Sequence, residues 1–143
     1  MNPSLCNNHF QVEWGGRRIS FISVSGLSTE VEVTPFRESA SRDGVARAVP
    51  GLQRFSPVVL TRSIEPGDND FFQWMSTVRG SEAERRDVSI RLLNAVHEPV
   101  VTWRLSSAFP SRLDYGPLNA LSSEVATESL TLVHEGLVVQ HAG

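Results

Sequence analysis

Asp87-Val88-Ser89-Ile90-Arg91-Leu92 and Val101-Thr102-Trp103-Arg104-Leu105-Ser106 decide the architecture. In both stretches apolar and polar residues alternate strictly, the period of a strand with one buried face. Asn94 to Pro99 lies between them and reads as a turn, so the two strands form an antiparallel hairpin. Upstream, Phe10, Val12 and Trp14 alternate with Gln11 and Glu13. Gly15-Gly16 then matches a two-residue hairpin turn, because both positions can take positive φ. That predicts a return strand over about 18–24, carrying Ile19, Phe21, Ile22 and Val24 and broken by Ser25-Gly26. A third strand puts Val31 and Val33 on one face and Glu30, Glu32 and Thr34 on the other. Pro57 to Ile64 is a further strand. The last long strand spans about 124–134, with Leu130 and Leu132 on one face and Thr127, Ser129 and Thr131 on the other. Gly136 breaks it, and Leu137-Val138-Val139 closes the chain.

One segment has a helical period. Glu65-Pro66-Gly67 stops the preceding strand and Asp68 is a good N-cap, with Asp70 where the helix dipole favours an anion. Phe71, Trp74, Met75 and Val78 follow at helical spacing, predicting an amphipathic helix over 69–79 that stops at Arg79-Gly80. From Arg37 to Gln53 periodicity is lost; the stretch is small, polar and punctuated by Asp43-Gly44 and Pro50-Gly51. A segment of this length without periodicity inside a compact domain is usually functional or disordered. We read 37–53 as a protruding loop or hairpin that becomes ordered against a neighbouring subunit, and 1–8 as a loose N-terminal arm. The expected class is mainly β (α+β): one domain over 1–143, an antiparallel β-sandwich or β-barrel with one α-helix closing an end.

Composition narrows the function. With 40% apolar and 20% charged residues the 143-residue chain is globular, and its net charge of −3 gives no footprint for nucleic acid or an anionic membrane. Cys6 is the single cysteine, so an intramolecular disulfide is ruled out and a free thiol in a reducing compartment is expected. No run approaches the ~20 apolar residues of a membrane span, and Met1 to Leu5 carries no secretory signal. Synthesis in the cytoplasm is expected, with no membrane insertion by this chain alone. All 13 basic residues are Arg, whose planar fork suits bidentate carboxylate pairing at interfaces, although GC-rich codon usage gives the same bias.

The motifs of chemistry are missing. His9, His97, His134 and His141 do not fall at metalloprotease spacing, and no cysteine pair completes a zinc site. Asp68-Asn69-Asp70 lacks the glycine and distant glutamate of a calcium loop, so capping explains it better. There is no Gly-x-Ser-x-Gly elbow and no phosphate loop. We therefore expect no catalytic, metal or cofactor-binding residues and no enzyme activity. Glu82, Glu84, Arg85, Arg86 and Asp87 form a mixed-charge cluster, either a solvated turn or an intersubunit ion-pair patch. Trp14, Trp74 and Trp103 lie on apolar faces and are assigned to the core. Open strand edges are templates for another chain, and head-to-tail contacts between copies close into rings.

Several phrases, in order along the chain, carry a family resemblance. They are Val24-Ser25-Gly26-Leu27, Phe36-Arg37-Glu38, Pro50-Gly51-Leu52, Val59-Leu60-Thr61-Arg62, Gly67-Asp68-Asn69-Asp70-Phe71-Phe72-Gln73-Trp74, Arg85-Arg86-Asp87-Val88, Ala108-Phe109-Pro110, Glu124-Val125-Ala126 and Leu130-Thr131-Leu132. With that order and spacing from about Phe10 to Val139, the chain resembles the tail tube proteins of contractile-tailed bacteriophages and of extracellular contractile injection systems. The resemblance implies six subunits per ring and rings stacked head to tail into a hollow tube inside a contractile sheath. It also implies baseplate or tube-initiator and tube-terminator partners, and a lumen cargo of protein effector, or DNA in a phage tail. The particle would be cytoplasmic, membrane-anchored or released. On this view Arg37, Glu38, Arg42, Asp43, Arg47 and Val49 of the arm, with Arg85 and Arg86, are the candidate inter-subunit residues. The alternative is a monomeric small β-barrel that binds a ligand or peptide.

Overall fold

The computed structural model describes residues 4–16, 20–36 and 47–142. Its strands are β1 (Phe10–Glu13), β2 (Phe21–Ser25), β3 (Thr29–Phe36), β4 (Arg47–Phe55), β5 (Val58–Ser63), β6 (Arg86–Leu93), β7 (Pro99–Tyr115), β8 (Thr127–Val133) and β9 (Gly136–His141), with α1 (Asp70–Met75) between β5 and β6. All pairings between these strands are antiparallel. The path β1-β6-β7-β8-β5-β2 is continuous, β9 adds to β7, and β3 and β4 stand apart as a two-stranded ribbon.

The 17-residue strand β7 turns this path into two layers. Its first part pairs with β6 and β9, and its second part, from Phe109, pairs with β8. The bend has local causes. Ser107 sits in the left-handed region at φ 52, its N–H donating to Asp87 Oδ1 at 3.0 Å. The register then slips between Pro110 and Arg112, a bulge that increases bending and twist. Val12, Val88, Ile90 and Leu105 of one layer meet Val58, Leu60, Leu130 and Leu132 of the other in one core, which Phe71 and Trp74 of α1 complete.

The expected hairpin at Gly15-Gly16 is corrected. β1 pairs with β6, Val12 opposite Ile90, whereas β2 pairs with β5, Val24 opposite Leu60. Gly16 serves Trp14 instead: a Cβ there would come within 2.2 Å of its ring, so the missing side chain lets the backbone pass over a buried indole. The return strand begins at Phe21, and residues 18 and 19 of the expected span lie outside the described residues.

Other boundaries move for physical reasons. The helix ends at Met75, not 79: the Ser76 N–H still donates to the Phe72 carbonyl, but the Thr77 and Val78 N–H groups donate three residues back to Trp74 and Met75, and the Ser76 and Thr77 hydroxyls also bond the Phe72 and Trp74 carbonyls. Asn69, not Asp68, holds the N-cap position, although Asp68 Oδ1 does accept the Asp70 N–H at 3.0 Å. The last long strand starts at Thr127, and Gly136 opens a further strand, β9, where the sequence suggested a break. The third strand belongs to the arm: β3 pairs with β4, Thr29 opposite Phe55, so the projecting hairpin is rooted at 29 and 55, not at 37 and 53.

Gly26 fixes the exit from β2. Its φ is +89, and a Cβ there would lie 2.1 Å from the Pro57 carbonyl oxygen. Both the backbone conformation and the space demand glycine. Gly26→Ala is expected to destabilise the fold by about 2–4 kcal/mol. Urea unfolding of the two proteins checks this, and a loss below about 1 kcal/mol would show that the loop yields freely.

Candidate assembly surfaces

The ribbon presents apolar side chains to solvent. Val33 is 62% exposed and Leu52 74%, with Val31 and Val49 also exposed. Glu32 and Arg54 pair across it at 3.3 Å, and Ser28 and Ser56 share a hydrogen bond at its base. An isolated two-stranded ribbon is marginal in water and needs a third surface for stability. The ribbon is therefore a marginal element with exposed apolar side chains.

The layer β2-β5-β8-β7 is open at both borders among the described residues. β2 pairs only with β5, and β7 from Phe109 onward pairs only with β8. In the other layer β1 pairs only with β6 and β9 only with β7. Such borders leave rows of backbone donors and acceptors for another chain.

Beneath these surfaces lies a charged group that sequence reasoning passed over. Arg62, fully buried, donates Nε to Glu128 Oε1 at 2.7 Å and Nη2 to Asp68 Oδ1 at 3.1 Å. Its guanidinium lies 3.9 Å from the Phe71 ring centroid. The three residues tie β5, β8 and the entry to α1 together inside the core. Alternation carried the signal: Arg62 shares a face with Leu60 and Val58, and Glu128 with Leu130 and Leu132.

The T4-like virus tail tube protein gp19 family model matches residues 6–138. The chain belongs to that family. Among solved structures, this tail tube family member matches a chain in the cryo-EM structure of the anti-feeding prophage cap (AFP tube terminating cap). The TM-score is 0.90 with 26% identity, covering 99% of this chain and 94% of that one. It also matches a chain in the sheath-tube complex of the PVC extracellular contractile injection system in its extended state. There the TM-score is 0.88 with 27% identity, covering 97% and 93%. Hcp1 from Flavobacterium johnsoniae, at TM-score 0.62 and 12% identity over 94% of this chain and 96% of that one, shares the fold. A search of curated proteins finds no match.

The candidate inter-subunit residues of this tail tube protein separate into groups. Arg37, Glu38, Arg42 and Asp43 lie outside the described residues. Arg47 and Val49 lie on β4, both exposed on the ribbon, opposite Phe36 and Thr34. Arg85 and Arg86 are engaged within the main body. Arg85 pairs with Glu135 at 3.0 Å and lies 4.8 Å from the Phe109 ring. Arg86 pairs with Glu84 at 2.8 Å and covers Trp74, 4.5 Å from its ring centroid. The mixed-charge cluster thus caps the aromatic core.

Two further polar features are on the surface. His9 and His97 share a hydrogen bond of 2.8 Å at the β6–β7 turn. Arg112 donates Nε to Asp114 at 2.6 Å; that bond and the Asp114 charge raise the guanidinium above its ordinary pKa, so it stays cationic. Among the described residues, no helix is long and apolar enough to cross a membrane.

Proposed function

We propose that the chain is the structural subunit of the inner tube of a contractile injection system or phage tail, acting without an active site. Copies join at strand borders into a hexameric ring, and rings stack head to tail into a hollow tube. The observation that carries this reading is the layer β2-β5-β8-β7, unpaired at both borders and covered on only one face. β2 and the end of β7 are different surfaces, so their contact is heterologous and closes as a ring rather than a two-fold dimer. The ribbon is then the stacking arm, its apolar residues covered by the next ring. A lone ligand-binding barrel would leave both borders and the ribbon bare.

The likeness to injection-system chains at 26–27% identity favours that branch over a phage tail. The partners would be a contractile sheath, a baseplate or initiator, and a terminator, with cargo in the lumen. The subunit would be made in the cytoplasm and leave it as part of the particle. Each subunit contact is expected to bury on the order of 1,600 Å² or more.

Negative-stain imaging and light scattering of the purified chain, with and without its baseplate neighbours, test this reading. Rings or stacked discs support it; a monomer under every condition removes it. Val49→Asp places a charge on the exposed apolar ribbon. Stacking is expected to fall at least about tenfold while the monomer's unfolding midpoint stays unchanged, since surface substitutions shift stability by only about 0.5 kcal/mol. Long tubes at normal yield would move the stacking contact elsewhere.

A further inference from the structure

The uncovered face of the β2-β5-β8-β7 layer has an unusual composition. Register places Ser23, Thr61, Ser129 and Asp114 in one row across the four strands, and Ser25, Val59, Thr131 and Arg112 in the next. Hydroxyls fill three of the four places in the first row and two of the four in the second, and Thr61 and Ser129 share a hydrogen bond of 2.9 Å. The charges that interrupt them, Arg112 and Asp114, neutralise each other at 2.6 Å. Among the described residues the face is broad, wettable and without net charge. The opposite face of the same layer carries Leu60 and Leu130 and is buried by the second layer and α1. The other outward face, on β1-β6-β7-β9, differs: it carries Glu13, Arg91 and Arg104.

We propose that the neutrality of this face, which on the tube reading forms the wall of the channel, makes the channel a passage for polypeptide cargo of either charge sign. The inference rests on the tube reading above. In a ring closed through β2 and β7, the thick side of each subunit has room only on the outside, so the uncovered face turns inward. Hydroxyls offer donors and acceptors alike to a mixed-charge polypeptide. With Arg112 and Asp114 paired, the wall has neither the net positive charge that would hold a polyanion through counterion release nor the net negative charge that would keep one sliding without contact.

The test uses assembled tubes of a Cys6→Ser/Ser129→Cys protein, with Thr131→Cys as the second variant should the first fail to assemble. Small methanethiosulfonate reagents of opposite charge are timed against the tubes, each rate normalised to its reaction with free cysteine. The two normalised rates are expected to agree within about threefold, and Arg112→Ala, which exposes the Asp114 charge, should favour the cationic reagent by about tenfold. A gold-conjugated maleimide wider than the channel should label dispersed subunits but not tube flanks. Labelling along the flanks, or a thiol inert to both small reagents, would overturn the wall assignment while leaving the tube intact. A normalised cation preference above about tenfold before Arg112 is changed would mark an acidic channel suited to sliding a polyanion, and would overturn the polypeptide assignment. Failure of both the unsubstituted chain and the Cys6→Ser parent to form rings or tubes, with or without the baseplate neighbours, would remove the underlying tube reading, and this inference with it.

Discussion

Replacing Arg62 with methionine is expected to remove about 3–5 kcal/mol of folding stability, because it strands two carboxylates in the core without their cation. Glu128 and Asp68 are both buried, and each receives a hydrogen bond from this one guanidinium. Against a total margin of about 5–15 kcal/mol for a domain of ordinary stability, that loss is a large fraction. The effect has a second signature that a simple cavity would not give. A triple change, Arg62→Met with Glu128→Leu and Asp68→Asn, removes the stranded charge and keeps an acceptor for the Asp70 N–H. It should recover most of the loss, since apolar replacement of a whole buried ion group is often neutral or stabilising. Chemical denaturation of the single and triple variants decides it. A single variant within about 1 kcal/mol of the parent would show that the group is dispensable.

The second large effect is expected at Trp74. Trp74→Ala should destabilise the fold by about 3–5 kcal/mol, the range for truncating a buried aromatic. Three interactions disappear together. The indole packs 5.9 Å from Trp14, donates its N–H to the Glu84 carbonyl at 2.8 Å, and carries the Arg86 guanidinium on its face. Arg86→Ala in the same assay should lose only about 1–2 kcal/mol, because that guanidinium is partly in water and its aliphatic stem supplies much of the contact. Equal losses would mean that the cation, not the ring, organises this end of the core.

Much of this fold is legible in the alternation of its side chains. β6, β8 and the first half of β7 stand where period-2 patterning puts them, and α1 sits within the helical stretch. Of the stretch 37–53, residues 47–53 lie on β4, paired with β3 apart from the main sheet, and residues 37–46 lie outside the described residues. The partner of each strand is a different matter. Gly15-Gly16 is a strong local turn signal, yet pairing is chosen by which faces can be buried together, and Val12 finds Ile90 rather than Val24. Pro110 discourages a strand assignment because proline donates no hydrogen bond, but it sits beside the Ser111 bulge, where a donor can be spared. β9 is hidden by Gly136, which reads as a break and in fact packs against Ser106 where a side chain would crowd. The Arg62 group escapes because charged residues are assumed to be outside, and only the faces of two separate strands, taken together, place it within. The ribbon's limits are hard to read, since the acid-rich strand that forms half of it looks like part of the body.

The single strand β7, running unbroken through both layers, has a mechanical meaning. A subunit driven endwise through a barrier receives force on one sheet before the other. Because one covalent backbone belongs to both, the push passes between them without depending on side-chain friction, and the sheets cannot slide past one another unless that backbone straightens at Ser107 and Ser111. The bend that shapes the sandwich is thus also its stiffener, and a piston built from such pieces would transmit thrust before it flexes.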